Sequence, residues 1–195
     1  MPEVRFLHAS PGVSNVDIYV NGSRYASNVP YNQHTGYLRF PGGAHQIIIY
    51  PAGRRLRPIF SGSVTLNPEG FYTIAASGYP GRVVLLPISE QPPMAVSGQA
   101  YVKFAHLSPN TPNVDIVLPD GTVLFSNIGY NGRTSYVAVT PGTYTLYVNL
   151  AGTNQTVLTV PNVVLAPGVA YTVYATGVQG SSSNPLRVVI TQDGS

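Results

Sequence analysis

The sequence predicts an all-β chain of two tandem antiparallel β-sandwiches, on three observations. First, the line VRFLHASPGVSNVDIYV at residues 4–20 returns as VKFAHLSPNTPNVDIVL at 102–118, an offset of 98 from His8 to His106. Second, short segments rich in Val, Ile, Thr and Tyr alternate in polarity and are punctuated by 20 Gly and 18 Pro. Third, no stretch shows apolar residues at helical spacing between helix caps.

The segments run in order as EVRFLH at about 3–8, NVDIYV at 15–20, TGYLRF at 35–40, HQIIIY at 45–50, FSGSVTL at 60–66, FYTIAAS at 71–77 and RVVLLPI at 82–88. Their equivalents follow 98 or 99 residues later, so about seven strands are expected in each copy. The match continues beyond the opening line. NVPYNQHTGYLRF from Asn28 faces NIGYNGRTSYVAV from Asn127, and SVTLNPEGFYTIAASG from Ser63 faces NVVLAPGVAYTVYATG from Asn162. A unit this long is a duplicated domain rather than a short solenoid repeat. We expect domains at 1–92 and 93–195, joined by SEQPPMAVSGQ at about 89–99, where paired prolines interrupt the alternation near Pro93.

Leu66-Asn67-Pro68-Glu69-Gly70-Phe71-Tyr72 and Leu165-Ala166-Pro167-Gly168-Val169-Ala170-Tyr171 share the form L-x-P-x-x-x-Y. It resembles the tyrosine corner of Greek-key sandwiches, in which a Tyr hydroxyl bonds back to the chain a few residues upstream. Tyr72 and Tyr171 are therefore assigned structural roles.

The chain has 195 residues, of which 9% are charged, with a formal charge of +3 and no cysteine. Thiol chemistry and disulfides are excluded, and a surface this neutral has little electrostatic protection against self-association. No leader pattern opens the sequence, and no apolar run approaches the ~18 residues of a membrane helix, so a soluble chain without membrane insertion is expected.

His, Ser and Asp recur at one spacing, which invites a hydrolytic reading: Ser10 as nucleophile, His8 as base, Asp17 as orienting acid, repeated by Ser108, His106 and Asp115. Strand alternation opposes it. Val4, Phe6 and His8 share one face, while the face of Val16, Ile18 and Val20 excludes Asp17, so His8 points in and Asp17 points out. The same holds for His106 and Asp115. The motif also lacks a glycine-built nucleophile elbow or an evident oxyanion hole. The expected roles are architectural: His8 and His106 cap turns, Ser10 and Ser108 open them, and Asp17 and Asp115 pair across strands with Arg5 and Lys103.

HASPGVSNVDIYVNG, NVPYNQHTGYLRFPGG and VTLNPEGFYTIAASG resemble the family called domain of unknown function 4397. The second copy resembles it again from HLSPNTPNVDIVLPDG through VVLAPGVAYTVYATG, and H-x-S-P-x-x-x-x-V-D is the most specific string. The resemblance implies an immunoglobulin-like or transthyretin-like β module of bacterial envelope or secreted proteins, with no catalytic residues to transfer.

His8, His34, His45 and His106 show no paired ligand spacing, so no metal or other cofactor is expected. Asp120 and Asp193, each before Gly, read as turn residues. Arg54, Arg55 and Arg57 cluster in PAGRRLRPIF, where the second copy has LAGTNQTVLTV; residues 1–92 hold seven basic and four acidic groups, residues 93–195 three of each. The arginines form a candidate interaction loop without the interleaved aromatics of nucleic-acid binding. Among 14 tyrosines, Tyr31, Tyr37 and Tyr72 recur as Tyr130, Tyr136 and Tyr171 and belong to the fold. Tyr19, Tyr25, Tyr50, Tyr79, Tyr144, Tyr147 and Tyr174 have no counterparts, and Tyr19, Tyr25, Tyr50 and Tyr147 are candidates for an interaction surface.

The expected function is non-enzymatic: a structural or adhesive module at a cell or spore surface, working through protein partners or self-association into oligomers or filaments. The alternative is a carbohydrate-binding module using exposed tyrosines on a polysaccharide.

Overall fold

The computed structural model describes residues 1–93 and 98–194. It divides into two compact units, Met1–Gln91 and Pro92–Ser195. The expected linker falls partly on residues 94–97, which lie outside the described residues.

The first unit contains β1 (Glu3–His8), β2 (Val16–Val20), β3 (Ser23–Val29), β4 (Leu38–Arg39), β5 (Gly43–Pro51), β6 (Phe60–Leu66), β7 (Phe71–Ser77) and β8 (Val84–Ser89). The second contains β9 (Ala100–His106), β10 (Val114–Val117), β11 (Val123–Ile128), β12 (Val137–Val139), β13 (Gly142–Leu150), β14 (Thr156–Leu165), β15 (Ala170–Thr176) and β16 (Arg187–Gln192). There is no helix among the described residues. Each unit is a sandwich of two four-stranded sheets, ordered β4-β1-β7-β8 and β3-β2-β5-β6 in the first, β12-β9-β15-β16 and β11-β10-β13-β14 in the second.

Two features correct the expected pattern. Eight strands form where about seven were expected, because SRYASNV at β3 lacks apolar alternation yet pairs with β2 through a two-residue turn. That turn is Asn21-Gly22, both at positive φ (48° and 83°), the geometry that matches the twist of a hairpin. The sheets are also not wholly antiparallel: β1 runs parallel to β7, and β9 to β15. Parallel neighbours need a long crossover, and here the chain makes it through the opposite sheet between β1 and β7.

Alternation decides what is buried. Val4 and Phe6 of β1, Val16, Ile18 and Val20 of β2, Ile47 and Ile49 of β5 and Ile74 of β7 form the first core, and the second repeats it around Phe104, Ile116, Val148 and Val173. Each such side chain contributes roughly 1.5–3 kcal/mol on burial. The register fixes the two ends of the first sandwich. Val16 pairs with Val29 and Pro51, so the loops after β1, β3 and β5 share one end, and the parallel β7 brings its following loop there too. The turns at 21–22, 40–42 and 67–70 occupy the other end.

Candidate functional site

Asp17 sits on the face of β2 turned away from the core, yet it is only 4% exposed. Its Oδ1 accepts the backbone N–H of Asn28 at 2.8 Å and its Oδ2 that of Gly53 at 3.0 Å. The need for an acceptor is local. The register of β2 and β3 shifts between Val16 and Ile18, and Asn28 lies beside that bulge at φ 54°, so its N–H falls outside the ladder. Asn15 donates from Nδ2 to Asn28 Oδ1 at 2.9 Å and holds the same residue from its side chain. In the second unit Asp115 accepts Asn127 N–H at 2.6 Å and Gly152 N–H at 2.9 Å, and Asn113 donates to Asn127 at 2.9 Å. The expected pairing of Asp17 with Arg5 does not form, because β1 and β2 lie in opposite sheets.

His8 is 1% exposed at the end of β1. The Ser10 N–H donates to its Nδ1 at 3.4 Å, and its Nε2 lies 3.0 Å from the Ser14 carbonyl. Because Nδ1 accepts, the proton sits on Nε2 and is donated to that carbonyl, which assigns the neutral tautomer from the network. His106 repeats the arrangement with Ser108 N–H at 3.3 Å and the Pro112 carbonyl at 3.1 Å. Burial holds both imidazoles below their ordinary 6.5, against the opposing pull of the carbonyl bonds.

The three repeated side chains therefore do not converge. Both ring nitrogens of His8 are engaged with backbone, leaving no lone pair to take a proton from Ser10, and both oxygens of Asp17 face backbone N–H groups rather than the imidazole. The serines differ between copies. Ser108 Oγ donates to the Gly177 carbonyl at 2.7 Å and lies 2.6 Å from Thr111 Oγ1, whereas buried Ser10 Oγ has no hydrogen-bond partner, and Val13 stands where the second copy has Thr111.

A second repeated constellation carries more charge. Arg5, 3% exposed, donates from Nε to Thr73 Oγ1 at 2.7 Å and from Nη2 to Glu90 Oε1 at 3.0 Å. Thr73 and Tyr37 hydroxyls also donate to Glu90, and the Arg5 guanidinium lies 4.7 Å from the centre of the Tyr37 ring. In the second unit Asp193 accepts from Thr172 at 2.5 Å, Tyr136 at 2.7 Å and Thr191 at 3.1 Å, with Lys103 Nζ 4.7 Å from the centre of the Tyr136 ring. These positions correct three sequence readings. Glu90 is packed in the first unit rather than in a linker, Asp193, read as a turn residue, is a buried acceptor, and Arg5 does not face solvent.

The tyrosines also depart from expectation. Tyr19 is 7% exposed, edge-on to Tyr50 and 4.5 Å from the Arg55 guanidinium; Tyr25 packs on the first core and donates to the Val4 carbonyl at 2.7 Å. Neither presents a free ring, and Tyr174 is fully buried: alternation puts Tyr19 and Tyr174 off the core face without saying what covers that face, and Tyr25 on the core side of a strand too polar to show it. Tyr50 and Tyr147 are half-buried. Tyr72 is buried in the first core, and Tyr171 Oη accepts the Ala166 N–H five residues upstream at 3.1 Å.

Arg54, Arg55 and Arg57 stand exposed in the loop between β5 and β6. Beside them, Val13, Ser14, Pro51, Pro58, Ile59 and Pro80 line an open cleft of about 280 Å³ at the loop end of the first sandwich. Among the described residues no three His, Asp or Glu side chains are grouped to hold a metal ion, and no helix is long and apolar enough to cross a membrane.

No curated protein matches the chain in sequence. The solved structures similar to the chain at low level include the following two. One is the CBM26-family module CBMbc from Eubacterium rectale Amy13K, in complex with maltoheptaose, at 10% identity and TM-score 0.31, covering 99% of this chain and 98% of that one. The other is the Bacillus anthracis TIE protein, at 10% identity and TM-score 0.27, of which this chain spans 34% while 91% of its own length is covered. The sequence model of one family matches residues 2–117 and again 117–195, carrying both copies of the His-Ser-Asp line between them. The chain thus belongs to the family described as domain of unknown function (DUF4397).

Proposed function

We propose that the protein is a non-enzymatic structural or adhesive module of a bacterial envelope, spore or extracellular assembly, acting through contacts between copies of itself. The observation that supports this most is the edge strand β6. A sheet edge leaves a row of backbone donors and acceptors without a ladder, and proteins that stay apart usually guard it with charge, proline, bulges or shortness.

The other edges of the first unit carry such guards. β4 has two residues, and β3 is bulged and bears Arg24. β8 contains Pro87, opposite Ile74 at a position that turns the missing N–H toward the free side, since Glu90 N–H bonds Phe71 three pairs further on and hydrogen-bonded pairs alternate. In the second unit β14 is interrupted by Pro161 and by Asn162 at φ 59°, β11 is bulged, β12 has three residues and β16 begins at Arg187. β6 has none of these features. Its seven residues FSGSVTL pair with β5 in unbroken register, with Ser61, Ser63 and Thr65 exposed and no charge or proline. Antiparallel pairing of β6 with β6 of a second copy would extend the sheet using backbone bonds alone.

Light scattering over a concentration series, with negative-stain microscopy of the same samples, tests this. The wild-type chain is expected to form dimers or polymers, and Ser61→Lys with Ser63→Lys to hold it monomeric. A monomer at every concentration overturns the reading.

A further inference from the structure

We propose that the loop end of the first unit binds an acidic glycan, one anionic sugar entering the cleft with its acid group on the arginines at the rim. The β5–β6 loop supplies both wall and charge: Pro51, Pro58 and Ile59 line the cleft, and Arg54, Arg55 and Arg57 lie between them in sequence. The β7–β8 loop does the same with Pro80 and the following Arg82. All four arginines are exposed. The guanidinium fork matches carboxylate, sulfate or phosphate oxygens in pairs.

The acidic groups of the first unit are kept from the rim of the cleft. Glu3, Glu69 and Glu90 fall at the opposite end by the register of β1, β7 and β8, and the one acid at the loop end, Asp17, is buried with both oxygens on backbone N–H groups. The loop is also held before any ligand arrives. Asp17 fixes Gly53, Pro51 and Pro58 bracket the arginine run, and Tyr19 supports Arg55 at 4.5 Å. Pre-ordering of this kind lowers the entropy cost of binding.

The second unit serves as an internal control. Its Asp115 holds Gly152 as Asp17 holds Gly53, but the loop there reads Ala151-Gly152-Thr153-Asn154-Gln155 without charge. The turn is therefore built without arginines, and their presence in the first unit needs another reason. The cleft lies at the small end of ligand-site volumes, which suits one sugar rather than a larger group. Tyr79 is the exposed tyrosine of this end, too little aromatic surface for a row of stacked bases.

The test is binding of the full chain to polygalacturonate, uncharged dextran and single-stranded poly(dT) at low salt. Polygalacturonate is expected to bind and dextran not to. R54Q/R55Q/R57Q is expected to weaken binding by about tenfold or more, and R133Q/R187Q in the second unit to leave it unchanged. Ser14→Tyr, which fills the cleft from an exposed side chain, is expected to weaken it too, with unfolding curves confirming that each variant is folded. Repeating the assay on S61K/S63K separates this proposal from self-association, since glycan binding is expected to survive there. Equal binding of dextran, tighter binding of poly(dT), or no effect of the three β5–β6 arginines or of Ser14→Tyr overturns it.

Discussion

The Asp17 carboxylate accepts the backbone N–H of Asn28 at 2.8 Å, and Asp115 does the same for Asn127 at 2.6 Å. Each aspartate closes a bulge with one oxygen and the β5–β6 or β13–β14 turn with the other. Asp17→Ala is therefore expected to cost about 1.5–3 kcal/mol, since it takes a buried, charged acceptor from two backbone N–H groups. Asn28→Gly should cost less than Asn28→Ala by about 1 kcal/mol, because the position sits at φ 54°. Urea unfolding of the three variants measures both differences.

Stability is expected to fall in mild acid through His8 and His106. Both imidazoles titrate lower in the folded chain than the ordinary 6.5, so between the folded and unfolded values the unfolded chain binds more protons. The contribution is complete above about pH 6.5 and is lost as the pH drops through the folded value. Protonation would also set an Nδ1 proton against the Ser10 or Ser108 N–H. Melting temperature from pH 8 to pH 5 should decline less in the H8N/H106N double variant than in the wild type.

The two serines should behave differently although the sequence writes them alike. Ser108→Ala removes two bonds made by a buried hydroxyl and is expected to cost about 1–3 kcal/mol, while Ser10→Ala is expected to be within about 0.5 kcal/mol of neutral. Val13→Thr, which supplies the partner that Thr111 provides in the second copy, should stabilise the first unit by about 1 kcal/mol. Denaturant midpoints decide each.

Glu90→Gln leaves buried Arg5 without its carboxylate and is expected to cost about 3–5 kcal/mol. Replacing both, with Arg5→Met and Glu90→Leu, should recover part of that loss, because the desolvation cost of the pair disappears with the charges. A double-mutant cycle by chemical denaturation reads the coupling.

How much of this was legible in the sequence follows from what alternation can and cannot say. Period two placed Val4, Phe6, Val16 and Ile18 on the core face. It could not say that β1 and β2 lie in different sheets, which is why Arg5 was expected on Asp17 and is found on Glu90. β3 hid because its residues are mostly polar, although Asn21-Gly22 marked its hairpin. Glu90 and Asp193 are structural equivalents, opposite Phe71 and Ala170, yet stand 103 residues apart because the loop before β16 is longer than that before β8. The repeat offset of 98 or 99 therefore passed them by.

The hydrogen bonds of Asp17 and Asp115 assign the repeated His-Ser-Asp line the role of holding loops. Amide hydrogen exchange at Asn28, Gly53, Asn127 and Gly152, in the wild type and in Asp17→Asn, tests it most directly. Strong protection of all four amides is expected in the wild type, with loss confined to Asn28 and Gly53 in the variant. Rapid exchange of these amides in the wild type, or unchanged protection at Asn28 and Gly53 in Asp17→Asn, would contradict it.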